Sequence, residues 1–330
     1  MGVPGQHSAF AGGLVSLPDD AVAEAKTILT NAELMLANAP SPLDMSVAEQ
    51  RALNRAQMQP QRAEAVDQIV SALGRSVTVR VLNPRRGAVD GVYLHIHGGG
   101  WMMGAYDQQD EMLWNFALAC NVAVVTVEYR LAPEHPFPAN AEDCETAALW
   151  LVASAVAEFG TDRLTIGGES AGAHLSAVTL LRLREHGLAN RFCGANLVYG
   201  AYDLSMTEFA RAWGTRNLVL NTPIIEWSVE QLTPGWSEEM RRSWELSPMF
   251  ADLSGLPPAL LTVGTDDPTL HDSIGLWERW GVANGNATLE VYEHGFHAFN
   301  LFPSKLGDIA NRSQENFIRT ALKGHVDASH

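Results

Sequence analysis

The chain has 330 residues, 46% hydrophobic and 18% charged, with 22 Lys and Arg against 38 Asp and Glu for a net charge of −16. Such a chain is long for one domain but can still fold as a single unit, and the apolar content can fill a large core, which excludes a disordered or collagen-like chain. The acidic balance argues against nucleic-acid and anionic-membrane partners, because phosphate contacts need clustered Lys and Arg.

Residues 1–18 are rich in Gly, Pro and Ser and read as irregular. They show no basic stretch followed by an apolar one, so no secretory signal and a cytoplasmic location are expected. Asp19 and Asp20 open a helix to about residue 37, Pro40 and Pro42 end it, and a second helix is expected over 46–58. Residues 76–82 alternate polar and apolar, which predicts a strand with one wet face. A strand over 91–96 leads into His97-Gly98-Gly99-Gly100-Trp101. A helix over 107–119 follows. The unbroken apolar run 122–127 predicts a strand buried on both faces. Further helices are expected over 139–157, 171–184, 268–280 and 308–322, and further strands over 163–166, 195–199, 258–263 and 287–292. No apolar run approaches the roughly 18 residues of a membrane span. Cys120, Cys144 and Cys193 are widely spaced in apolar surroundings, which predicts buried free thiols and a reducing compartment. His95 and His97 share a strand face without a partner motif such as H-E-x-x-H, so no metal or cofactor is expected.

Strands alternating with helices predict an α/β fold with a mostly parallel central sheet covered on both faces. Residues 203–247 interrupt that alternation and are too long for a plain loop. The expected organisation is N-terminal helices in 1–60 contributing to a cap, a first core part in 61–202, a helical cap insertion in 203–247 and a second core part in 248–330.

The chemistry centres on Gly168-Glu169-Ser170-Ala171-Gly172, between a strand and a helix. A G-x-S-x-G in that setting marks a nucleophile elbow, a turn so sharp that the serine Oγ stands exposed. Chance alone would place about 0.14 such motifs in a chain of this composition, so the motif needs company. A serine hydroxyl needs a base. Two histidines follow the last strand, and His297 is favoured over His294 because the chain needs loop residues before it can reach Ser170. The acid should follow the preceding strand, where Asp266 and Asp267 both stand; Asp267, next to Pro268, is favoured, although either could serve only as a helix cap. Backbone N–H groups for a developing oxyanion would come from the His97–Gly100 loop and from Ala171. The order Ser170, Asp267, His297 is that of α/β-hydrolases.

With Tyr129-Arg130-Leu131-Ala132-Pro133-Glu134-His135-Pro136-Phe137-Pro138-Ala139, Ser247-Pro248 and Leu256-Pro257-Pro258-Ala259-Leu260, these motifs resemble the hormone-sensitive lipase-like branch of the α/β-hydrolases over residues 74–322. The resemblance implies an α/β-hydrolase fold with a helical cap and a serine carboxylesterase acting on short-to-medium acyl esters. It supports Asp267 as acid and His297 as base. It implies Gly99, Gly100 and Ala171 as oxyanion donors, with Gly98 shaping the turn. One extra residue between Pro268 and Asp272 leaves Asp272 without an assigned role. Trp101 replaces the commoner Phe and, with Met206, Phe209 and Trp213 of the cap, is a candidate substrate contact; a packing role is the alternative for each, and for Trp101 and an apolar stripe of this kind it is the commoner one. A small-molecule ester is the expected partner, and a homodimer through the last strand and helix is an expectation by family analogy. Alternatives are an amidase or lactonase using the same triad, or a non-catalytic receptor on the same fold.

Overall fold

The computed structural model describes residues 13–56, 61–85 and 87–324. The first twelve residues of the irregular opening and the last two of the expected second helix lie outside the described residues. Eight strands form one sheet: β1 (Val66–Ala72), β2 (Arg75–Leu82), β3 (Gly91–Ile96), β4 (Val122–Val127), β5 (Leu164–Glu169), β6 (Phe192–Val198), β7 (Ala259–Asp266) and β8 (Ala287–Phe296). Their order is β1-β2-β4-β3-β5-β6-β7-β8. Pairing is antiparallel from β1 through β2 to β4 and parallel from there on.

The helices are α1 (Asp19–Ala37), α2 (Val47–Ala56), α3 (Asp110–Cys120), α4 (Ala139–Phe159), α5 (Ala171–Glu185), α6 (Glu208–Ala212), α7 (Thr222–Leu232), α8 (Glu238–Arg241), α9 (Leu270–Asn284) and α10 (Lys305–Gly324). Successive strand residues face opposite sides, and the two sides have different partners. Ala123, Val125 and Val127 pack into the core that holds Ala147, Leu151 and Leu175 of α4 and α5. Val122 and Val124 pack with Leu113 and Ala117 of α3 and Ile318 and Leu322 of α10. All six residues of β4 are therefore buried, as the unbroken apolar run predicts. The three cysteines are buried and unpaired. No helix among the described residues is long and apolar enough to cross a membrane.

Two departures from the sequence reading have local causes. β1 was not expected. It joins β2 through Leu73-Gly74, both at positive φ (51° and 72°), as a two-residue hairpin turn demands. The other concerns the wet face of β2. Arg80 stands on it but is buried, because its guanidinium is forked onto Asp110 (2.8 Å) and Asp67 (2.6 Å).

Asp272 acquires a clear structural part. Buried in α9, its Oδ1 accepts the backbone N–H groups of Tyr202 (2.7 Å) and Asp203 (2.8 Å) just past β6. This ties the start of the 203–247 segment to the core. Burial pushes its pKa up to about 7 from an ordinary 3.8. The folded state thus keeps this proton through a range in which the unfolded chain has lost it. Stability should fall as pH rises from about 4 to about 7. Asp272→Asn keeps the accepting oxygen without the charge, so urea midpoints measured across that range should show a flatter pH dependence than those of the parent.

Candidate active site

Ser170 lies between β5 and α5 at φ 57° and ψ −120°. Such backbone is rare for a residue with a side chain and costs about 1–3 kcal/mol. Neighbouring packing enforces it. A Cβ on Gly168 or on Gly172 would collide with the carbonyl oxygen of Ile96, at the end of the adjacent strand β3. The Ser170 N–H donates to the Val198 carbonyl (2.8 Å), which anchors the elbow to β6 as well.

The Ser170 hydroxyl lies 2.9 Å from His297 Nε2, and His297 Nδ1 lies 2.9 Å from Asp267 Oδ2. Asp267 is wholly buried. Its other oxygen accepts both the N–H and the hydroxyl of Thr269, each at 2.8 Å. A buried carboxylate with three donors is held in one orientation, and it in turn orients the imidazole. Thr269 was not singled out from sequence, although an Asp-x-Thr turn is a local signal.

The two alternatives sit elsewhere, close to each other. Asp266 pairs with Arg216 at 2.8 Å, and Arg216 also pairs with Glu33 of α1. His294 Nδ1 is 3.9 Å from Asp266. The expected loop before His297 is absent: β8 runs on through Phe296, and its register shifts opposite Gly264 and Asp266. That shift, with His294 at φ 62°, separates the two histidines. His297 follows directly on the strand end.

Over the elbow passes the His97–Gly100 loop. A Cβ on Gly98 would stand 2.8 Å from the Glu169 carbonyl, and one on Gly99 (φ 114°) would strike the Met103 carbonyl. The N–H groups of Gly99 and Gly100 enter no hydrogen bond among the described residues. His97 is buried, and burial lowers its pKa to about 4, so the imidazole is neutral near pH 7. Its Nδ1 lies 2.8 Å from the Gly98 carbonyl, and the Tyr129 hydroxyl donates to the His97 carbonyl at 2.9 Å. The Tyr129 ring stacks on the imidazole at 4.1 Å. The loop is therefore braced from beneath by the first residue of the Tyr129–Ala139 string.

A cavity of about 340 Å³ opens onto Ser170, His297 and the three glycines. Its lining includes the apolar Val219, Leu220, Ile224 and Leu301 and the polar Asn54, Gln108 and Gln109. The four expected substrate contacts are absent from its lining. Trp101 is buried behind the loop, where its indole N–H donates to His174 Nδ1 at 3.0 Å. Phe209 stacks on His271 at 4.2 Å, Trp213 donates to the Arg216 carbonyl at 2.8 Å, and Met206 packs against the core. The apolar lining comes instead from Val219, Leu220 and Ile224, between α6 and the first turn of α7.

Glu169 was not singled out from sequence. It is buried beside Ser170 and shared between this cavity and a second one of about 450 Å³ that His95, Asn196 and Gln314 also line. Burial raises its pKa, but the field of His95 and hydrogen bonds from His95 (3.0 Å) and Gln109 (3.4 Å) outweigh that and hold it below the usual range. His95 lies on β3 and His97 one residue past its end, in the glycine loop, so the two do not share a strand face as expected and serve different partners.

The α/β-hydrolase fold family model matches residues 93–301. Carboxylesterase NlhH of Mycobacterium tuberculosis is 35% identical over 222 residues, covering 64% of this chain and 67% of that protein. Carboxylic ester hydrolase LipN of the same organism is 30% identical over 295 residues, covering 85% and 76%. An esterase of Pyrobaculum calidifontis superposes with a TM-score of 0.79 at 27% identity, over 87% of this chain and 97% of that one.

The collision geometry makes a direct prediction. Gly168→Ala or Gly172→Ala should cost several kcal/mol, as overpacking against a fixed backbone oxygen does. A large drop in the urea midpoint, or loss of soluble protein, is the expected result; unchanged unfolding would contradict the packing described.

Proposed function

The chain belongs to the α/β-hydrolase fold family, and on that premise we propose that it is a serine carboxylesterase that cleaves short-to-medium acyl esters through an acyl-enzyme. The observation that carries this reading is the continuous chain of contacts Ser170–His297–Asp267, each 2.9 Å, beneath a loop of bare backbone. The relatives named above are carboxylesterases, which agrees with it.

In this reading the Ser170 Oγ bonds to the ester carbonyl carbon while its proton passes to His297 Nε2. The carbonyl π electrons move to oxygen, which is received by the N–H groups of Gly99, Gly100 and Ala171. The oxyanion collapses, the C–O bond to the alcohol breaks, and the imidazolium returns its proton to the leaving oxygen. Water then attacks the acyl-enzyme by the same proton route, releasing the acid and restoring the serine. Asp267 keeps its charge throughout and stabilises the imidazolium. A cavity of about 340 Å³ lined in part by Val219, Leu220, Ile224 and Leu301 suits short-to-medium acyl chains rather than long ones. The same reading makes α1, α2 and residues 203–247 a cap over that cavity.

A fluorophosphonate should modify Ser170 and no other residue, as read by peptide mass spectrometry. Ser170→Ala, with unchanged melting, should lose turnover of p-nitrophenyl butyrate by about 10⁴-fold or more, and Asp267→Asn by a comparable factor. Asp266→Asn should stay within about tenfold. Activity retained in Ser170→Ala would refute the mechanism. A panel in which lactones or amides, but no esters, turn over would refute the substrate class.

A further inference from the structure

From helix α2, Arg51 reaches the loop that carries the candidate oxyanion donors. Its Nε donates to the Met102 carbonyl (2.7 Å) and one terminal nitrogen donates to the Ala132 carbonyl (2.8 Å). The same guanidinium forks onto Glu134, with contacts of 2.9 Å and 2.8 Å. Met102 belongs to the turn that sets the oxyanion loop: the N–H groups of Met102 (3.1 Å) and Met103 (2.9 Å) both donate to the Gly99 carbonyl. Ala132 in turn donates to the Trp101 carbonyl at 3.0 Å. One cation thus grips both sides of the seam between the glycine loop and the Tyr129–Ala139 string.

We propose that Arg51 is a positioning residue for the oxyanion cradle, acting through the Met102 and Ala132 carbonyls to hold the Gly99 and Gly100 N–H groups in their catalytic direction. The proposal rests on the serine esterase reading and goes beyond it, since no part of the triad requires α2. The ion pair with Glu134 is half exposed, with side-chain exposures of 30% and 55%, and such pairs hold little by themselves. The weight lies on the two charge-assisted bonds to backbone carbonyls. A planar guanidinium can meet two carbonyls and a carboxylate at once, whereas an ammonium presents a point charge. Three residues on from Arg51, and so on the same helix face, Asn54 lines the cavity and accepts from Gln108 at 3.1 Å. Placement of α2 therefore affects both the cradle and the cavity wall.

The parent protein first shows ester turnover and fluorophosphonate labelling; failure there overturns the serine esterase reading and, with it, this proposal. The variants then test Arg51 alone. Arg51→Ala, Arg51→Lys and Glu134→Gln are compared by kcat per site titrated with the fluorophosphonate, so that misfolded protein does not count. We expect kcat per site to fall about 10–100-fold in Arg51→Ala, less than loss of a whole oxyanion donor, with KM changed by less than about threefold. Arg51→Lys should recover part of the loss. Glu134→Gln, which keeps both carbonyl contacts, should lose the least and remains informative if Arg51→Ala does not fold. Hydrogen exchange of the 99–103 segment should speed up in parallel with the loss of kcat. Parental kcat per titrated site and parental exchange in Arg51→Ala would overturn the proposal, as would a Glu134→Gln loss as large as that of Arg51→Lys.

Discussion

The Ile96 carbonyl lies so close to the backbone of residues 168 and 172 that neither can carry a side chain. From this close approach the rest of the site follows. It pulls the β5–α5 turn tight against the end of β3 and forces Ser170 into a conformation that an unconstrained chain would leave. It also brings the glycine loop, which continues from Ile96, directly over the serine. Ser170 and the glycine loop are therefore placed by one contact between neighbouring parallel strands.

The remaining groups arrive by a different route. Asp267 and His297 stand at the ends of β7 and β8, one and two strands beyond β6 on the side away from β3. Parallel pairing puts these strand ends on the same edge of the sheet, so residues far apart in sequence converge. Thr269 then locks the carboxylate, and the register shift in β8 turns His294 aside towards Asp266. Asp266 is put to separate use: through Arg216 it fastens the 203–247 segment and α1 to the core.

What could be read from the sequence divides along physical lines. Glycines forced by backbone contact leave a fixed local pattern, so the Gly168–Gly172 and His97–Gly100 motifs could be read directly. The proposed acid and base depended on strand order, and two nearby candidates stood for each until packing separated Asp267 from Asp266 and His297 from His294. The cavity wall was not legible. Residues 206, 209 and 213 are as apolar as 219, 220 and 224, and only tertiary packing decides which group turns towards Ser170. Trp101 shows the same limit, since its indole found a buried acceptor in His174. The β1 strand escaped because its Val66 and Ile69 are exposed at the sheet edge, although Leu73-Gly74 carried a turn signal.

The central claim is that bare backbone N–H groups of two separate loops meet at one point beside the Ser170 hydroxyl. A crystal structure of the protein with a trifluoromethyl ketone or an alkyl boronic acid tests this most directly. The account predicts a covalent bond to Ser170 Oγ and an adduct oxygen about 2.7–3.1 Å from the N–H groups of Gly99, Gly100 and Ala171. An adduct oxygen facing solvent or a side chain, or inhibitor bound without reaction at Ser170, would contradict it.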